Sequence, residues 1–300
     1  MFFLVKWLYG VVRVWRMNMR RVPQRVRMTC CGWIMDFTIC IVTYNNQEKI
    51  GPVVQGIAAN ISGRFSYKLF VVDNCSTDNT VQVVADLNAG AEIICNPNNV
   101  GFGRAHNQVI ANTPAQYHFI INPDIFVHGN VFERMFDFLE QHPDVGLATA
   151  GVRYPDGSIQ HHGKRNPKFI DLSIRLFAPK HFNKRQTRYT MSDRDFSQVF
   201  DVEVASGCFL CGRTSLLREI GGFDPRFFLY FEDADLSRKA KKRTRVVHFP
   251  ADDVMHEWNR HSRKRFKIKM VMIISAFKYL FKWSLGGIFA GKPKELFPNG

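Results

Sequence analysis

The chain has 300 residues, enough for one large domain or two small ones, and its 46% hydrophobic content is ample for a buried core. Lys and Arg number 41 against 26 Asp and Glu, and the resulting +15 favours an anionic partner: nucleic acid, acidic phospholipid headgroups or a phosphorylated substrate. No stretch is low in complexity or internally repeated. None reaches the roughly 20 apolar residues of a membrane-spanning helix.

Residues 1–34 open on an apolar run that Lys6, Arg13 and Arg16 interrupt, and continue into the basic stretch from Arg20 to Arg27. This extension is expected to lie outside the fold, with Met35 as a possible true start; the alternative is a basic amphipathic arm on a membrane. From Phe37 the pattern becomes regular. Phe37 to Thr43 is a short β-branched run of the kind that forms a buried parallel strand, ended by Tyr44-Asn45-Asn46, with a helical segment from about Glu48. Lys68 to Val72 is a second such strand, stopped by Asp73-Asn-Cys-Ser-Thr-Asp78, and Thr77 or Asp78 can cap the helix that follows. Ala91 to Cys95 is a third strand. Asn99 to Asn107 is a Gly-rich turn entering a helix, and Tyr117 to Asn122 is a fourth strand that ends at Pro123-Asp124.

Strand and helix alternate, which predicts an α/β fold with a mainly parallel central sheet flanked by helices. Ligands of such sheets sit beyond the carboxyl ends of the strands, where the polar clusters after Val42, Val72 and Ile121 all fall. The second half is less regular. Asp156-Gly157 marks a turn between short strands, and 160–200 reads as a mobile or acceptor-facing insertion. Val204 to Cys211 is a strand, Thr214 to Ile220 a helix, and Glu232-Asp233-Ala-Asp235 opens another helix. Arg245 to Phe249 is a short strand. From Arg260 a basic cluster precedes one or two amphipathic helices with Lys and aromatic borders, which suit either a membrane surface or packing on the domain.

The seven cysteines are odd in number and scattered, a pattern of a reducing cytosol rather than a disulfide framework. Cys208 and Cys211 have zinc-like spacing without a second ligand pair, and are read as core residues. Three acidic groups carry candidate chemistry. Asp73, directly after a buried strand, can accept hydrogen bonds from a base or ribose; Asp78 reads as a structural cap. Asp124, at the end of a strand, suits a hard cation bridging a diphosphate, although Asn-Pro-Asp is equally good turn chemistry. Glu232 and Asp233 offer a carboxylate base near an acceptor hydroxyl, or simply an acidic first helical turn. His256 is a candidate metal ligand, while His106, His161, His162 and His261 are left without a role.

Taken in order over roughly Phe37 to Ser262, these segments resemble the family 2 glycosyltransferases, the inverting group with the GT-A fold. Asn122-Pro-Asp124, standing where other members have Asp-X-Asp, is similar to the branch of rhamnosyltransferases that build bacterial surface polysaccharides. The resemblance implies a nucleotide-sugar donor held by Thr43, Asn45 and Asp73, with Tyr44, Asn74, Asn99, Gly101, Asn107 and Asn122 as further donor-binding positions in the matching segments. It implies Mg2+ or Mn2+ on Asp124, completed by His256, and Asp233 as general base with Glu232 beside it. Expected organisation follows: a glycosyltransferase domain over 35–262 and a basic amphipathic tail over 263–300. The favoured donor is dTDP-rhamnose and the acceptor a saccharide, lipid-linked at the inner face of the bacterial plasma membrane. A UDP-hexose donor is the first rival. A nucleic-acid partner is read as absent, because the basic residues concentrate in the flanks and no nucleic-acid motif occurs.

Overall fold

The computed structural model describes residues 27–29, 32–168, 183–251, 253–257 and 266–284. In chain order the elements are strands β1 (Arg27–Thr29) and β2 (Gly32–Thr43), helix α1 (Ile50–Ala59), β3 (Tyr67–Asp73), α2 (Thr80–Asp86), β4 (Glu92–Cys95), α3 (Phe102–Asn112), β5 (Ala115–Ile121), β6 (Ile125–Val127), α4 (Val131–Gln141) and β7 (Val145–Ala150). They continue with β8 (Val152–Arg153), β9 (Ile159–Gln160), α5 (Asn183–Thr190), β10 (Phe200–Asp201), β11 (Phe209–Arg213), α6 (Thr214–Glu219), α7 (Glu232–Ala240), β12 (Arg245–Phe249), β13 (Val254–His256) and α8 (Phe266–Ser284).

The main sheet runs β10-β12-β7-β11-β5-β2-β3-β4, with β1 paired antiparallel to the start of β2. Strands β4, β3, β2, β5, β7 and β12 share one direction, and β11 and β10 oppose it. The sheet is therefore mixed while keeping the parallel majority that the alternating pattern implies. Strand β2 lies at its centre because both of its faces are apolar. Phe37, Ile39 and Ile41 enter the large core beneath α1 and α4, and Cys40 and Val42 pack with Phe70, Val72, Ala105 and Val109 on the other face. Phe37 meets Phe119 edge-on at 5.3 Å and Phe65 at 5.5 Å, so the aromatic side chains interlock at the middle of that core.

β2 starts at Gly32 rather than Met35, so residues 32–34 of the expected N-terminal extension belong to a strand. Residues 1–26 lie outside the described residues. The run expected as a strand from Val204 begins its ladder at Phe209; Val204 makes only an isolated bridge to Lys164. Of the region 160–200, residues 169–182 lie outside the described residues, and what precedes and follows them holds α5 and the start of β10. The basic cluster after Arg260 falls outside them as well, through residue 265.

Chain direction explains where a site can form. β2 leads to β3 and β4 on one side, and β5 is added on the other, so the carboxyl ends of β2, β3 and β5 surround a switch point. Register places Thr43 opposite Asp73, and Asp73 opposite Cys95. After β5 the chain leaves this sheet at Asn122-Pro-Asp124 and enters a second one, ordered β6-β13-β8-β9. There β6 and β13 pair antiparallel with Ile125 opposite His256, which sets His256 beside Asp124.

Candidate active site

Asp124 and His256 are the centre of the site. His256 Nε2 lies 3.2 Å from Asp124 Oδ1, and neither buried atom has a hydrogen-bond partner among the described residues. The backbone holds the pair in register, with Glu257 N donating to Asp124 O at 3.1 Å. The tautomer of His256 follows from Gln160. Gln160 Nε2 donates to the His256 carbonyl at 3.0 Å, which turns Oε1 toward two rings: His256 Nδ1 at 3.0 Å and His162 Nε2 at 2.7 Å. Those nitrogens carry the hydrogens, so His256 Nε2 presents a lone pair to a carboxylate lone pair. That arrangement repels unless a cation lies between them, and an imidazole oriented through its other N–H is the usual preparation of a metal ligand. These donors fit a divalent ion such as Mn2+, which accepts both oxygen and imidazole nitrogen. His162, Cys208 and His256 also converge, each offering a ligand atom within 4.8 Å of the others.

A cavity of about 390 Å³ opens beside this pair. Asn122, Glu232, Asp233 and His256 line it, together with Lys164 and Tyr154. Asp233 accepts from Ala234 N at 2.8 Å and, weakly, from Gly207 N at 3.5 Å. Glu232 is buried, and desolvation together with the adjacent Asp233 pushes its carboxyl up to about 8, so at neutral pH it keeps its proton. The turn that presents both is strained: Tyr230 and Phe231 have φ of +69° and +67°, a region that bulky residues rarely occupy and that costs on the order of 1 kcal/mol or more each. Such backbone persists only where packing over-determines it. Here Phe231 packs on Tyr279, and Leu229 O accepts from Ser275 of α8.

The second group of candidates forms a loop network at the ends of β2 and β3. Asp73 receives Ser76 N at 2.8 Å and Ser76 Oγ, Ser76 Oγ also receives Asn45 N at 2.8 Å, and Asn45 Oδ1 receives Thr77 N at 2.8 Å. Thr43 Oγ1 accepts from Asn46, and Tyr44 is about half exposed at the rim. Asp78 does the structural work expected of it, accepting from Thr80 N and Gln47 N. Asn74 ties the loop to Gly101 O and to Asn96, and Asn99 Oδ1 accepts from Gly101 N. Gly101 has φ +87°, and a Cβ there would stand 2.5 Å from Phe228 O, so this glycine is where the Gly-rich turn touches the Glu232 loop.

Asn107 is placed otherwise than expected. Its amide is closed on the backbone of Phe223, donating to the carbonyl and accepting from the N–H at 2.8 Å each, and it serves as a clamp between α3 and the turn after α6. Gln160, His162 and Cys208 carry no role in the sequence reading, yet they surround His256. The available signal was the period of two: Gln160 and His162 fall on one face of an extended segment directly after the Asp156-Gly157 turn. Cys208, read as a core residue, is buried as expected and has its thiol in this cluster.

The mixed α/β sheet, with polar clusters at its strand ends and a cavity lined by carboxylates, has the architecture of the GT-A glycosyltransferases. The chain belongs to glycosyl transferase family 2, whose profile matches residues 38–221. A relative in Mycobacterium tuberculosis, N-acetylglucosaminyl-diphospho-decaprenol L-rhamnosyltransferase, is 27% identical over 239 residues, 73% of this chain and 75% of that protein. The Staphylococcus aureus poly(ribitol-phosphate) beta-N-acetylglucosaminyltransferase TarS is 21% identical over 112 residues, 36% of this chain and 20% of TarS. The structure of S. aureus TarS 1-349 in complex with UDP aligns with a TM-score of 0.56 at 17% identity, covering 82% of this chain and 66% of that one. That of GalNAc-T7 with UDP, GalNAc and Mn2+ aligns at 0.56 and 12% identity, covering 79% and 47%. At such identities these structures establish the fold alone.

Proposed function

We propose that the protein is a metal-assisted, inverting glycosyltransferase that moves rhamnose from dTDP-rhamnose to a lipid-linked saccharide. The observation that supports it most is that Asp233 and His256 line one cavity while His256 Nε2 lies 3.2 Å from Asp124 Oδ1, neither of those two atoms having a hydrogen-bond partner among the described residues. The relative named as an L-rhamnosyltransferase acting on a decaprenol-linked sugar supports the donor and acceptor classes.

In this reading the loop network of Asn45, Asp73 and Ser76 receives the nucleoside, and Asn122 faces the donor. Asp124 Oδ1 and His256 Nε2 would hold a divalent ion, and the chemistry it would supply when bound is charge neutralisation for the departing diphosphate. Asp233 Oδ2 takes the proton of the acceptor hydroxyl as that oxygen attacks the anomeric carbon. Glu232, protonated beside it, avoids a second negative charge and leaves Asp233 as the base. One displacement with no covalent intermediate inverts the anomeric configuration.

The acceptor reading draws on α8. On a wheel of 3.6 residues per turn, Phe266, Phe277, Met270, Phe281 and Ile274 fall within an arc of about 80°. All five are exposed, and Lys267, Lys269 and Lys278 border the arc. An apolar stripe edged by Lys suits an anionic bilayer surface, where a lipid-linked sugar resides. No described helix is long and apolar enough to cross a membrane.

Calorimetric titration of purified protein with dTDP-rhamnose and with UDP-sugars, manganese present, tests the reading. Tighter binding of dTDP-rhamnose is expected; preference for a UDP-hexose would transfer the assignment to that donor. Asp233→Asn should keep donor binding and lose about 10²–10⁴-fold in turnover. Near-normal turnover of the folded variant would exclude Asp233 as the base.

A further inference from the structure

Away from the Asp124–His256 pair, a second group of ligand-type side chains is sealed between the sheet and α3. Cys40 on β2, His118 on β5 and His106 on α3 are each 0% exposed. Cys40 Sγ and one ring nitrogen from each histidine all lie within 4.8 Å of one another. Neither ring nitrogen of His106 has a hydrogen-bond partner, and nor does His118 Nε2. More than nine in ten buried polar groups in native proteins are paired, and each orphan costs about 1–3 kcal/mol. Two imidazoles with orphan nitrogens, each offering one of its nitrogens beside a buried thiol, need a reason that apolar packing does not supply.

The remaining contact of His118 supplies a direction. Its Nδ1 is 2.7 Å from Thr38 Oγ1, a buried hydroxyl on the neighbouring strand. With Nδ1–H donating to Thr38, Nε2 keeps its lone pair and is the unpartnered nitrogen of the ring, the outer-sphere arrangement typical of a metal-ligating imidazole.

We propose that Cys40, His106 and His118 bind a single transition-metal ion of borderline to soft character, zinc(II) or copper(I), at a structural site separate from the catalytic one. One thiolate and two imidazoles match the preferences of these ions and not those of magnesium. The site links β2, β5 and α3, the three elements whose ends carry Thr43, Asn122 and Gly101. His106 packs against Phe102 at 4.4 Å, and Phe102 also lines the catalytic cavity, so the ion would brace one wall of that cavity.

Elemental analysis of the full chain tests this, using His256→Ala as background so that the catalytic pair contributes no metal. About one equivalent of zinc or copper is expected to remain with the purified His256→Ala protein, the element found deciding between the two ions. It should fall below about 0.1 equivalent when Cys40→Ala or His106→Leu is added. The melting temperature gives an independent sign. Loss of a ligand lowers it, whereas replacing an orphan imidazole in an apolar core by Leu raises it. A metal-free His256→Ala protein, or a His106→Leu protein with unchanged metal content or a raised melting temperature, would overturn the proposal. Should the core variants fail to fold, cobalt loading of Cys208→Ser protein reads the site with its own residues intact. A thiolate-to-cobalt charge-transfer band that survives brief chelation supports Cys40 as ligand, and its absence refutes it.

Discussion

Asp124 has a modest claim when considered alone, because an Asn-Pro-Asp turn at a strand end is common. What faces it strengthens that claim: the His256 ring, held by Gln160, whose own amide donates to the His256 carbonyl. This closed loop of hydrogen bonds predicts that Gln160→Leu frees the ring and weakens manganese binding by about 10–100-fold with the fold intact, as a manganese titration would show. Glu232 makes a different prediction at the same scale. Its folded-state pKa of about 8 lies above its ordinary 4.5, so between those values the folded protein keeps a proton that the unfolded chain releases. Stability therefore falls as pH rises above about 4.5, until the folded carboxyl also ionises. Glu232→Gln should remove that slope, and urea midpoints at pH 5.5 and pH 8 would reveal it.

Helix α8 shows how one element serves two surfaces. Its inner face joins the domain: Tyr279 is buried with Val204, Phe227 and Ala234. Trp283 donates to Asp235 at 2.8 Å, and Lys282 bridges Asp235 and Asp224 at 2.6 and 2.7 Å. Asp235 is fully buried on α7, two residues after Asp233, with the Lys282 ammonium against its Oδ1. Lys282→Met should cost about 3 kcal/mol in urea denaturation, because a buried carboxylate loses its counter-ion, and adding Asp235→Asn should recover part of it. The sequence reading set membrane contact and domain packing of this tail as alternatives. The helix has a face suited to each, since Tyr279 and Phe277 point to opposite sides at 3.6 residues per turn.

For the whole molecule, the outer stripe of α8 and the cavity belong to one body, because α8 carries the loop that presents Glu232 and Asp233 through Ser275 and Tyr279. A membrane-seated α8 would bring that cavity to the lipid surface. Replacing both Phe277 and Phe281 by Glu should reduce flotation with anionic liposomes at least about tenfold, since each Phe contributes about 1.5–3 kcal/mol on burial. Elution by salt is expected for the native chain, from the bordering lysines.

Much of the fold could be read from the chain because its parallel strands are buried on both faces. Phe37 to Thr43, Lys68 to Val72 and Tyr117 to Asn122 each appear as a compact apolar run that stops at a polar cluster, and the stops mark the strand ends where ligands bind. Asp73 directly follows such a run, Asp124 follows one after Asn122-Pro123, and Asp233 stands in the first turn of α7, so all three stand out as candidates in the chain. Helix α4 and strands β6 and β7 passed without comment, and Asn107 was taken for a donor contact because nothing local tells a clamp from a ligand.

The sequence by itself determined the α/β class, the family and the acidic groups of the candidate site, since these follow from local periodicity and from motif order. Only the tertiary structure decided that β6 pairs with β13, placing His256 against Asp124, that Gln160 orients His256, and that Cys40, His106 and His118 meet in the core. Pairings of two- and three-residue strands, and contacts between distant side chains, are set by register and packing across the whole sheet. No periodic signal along the chain records them.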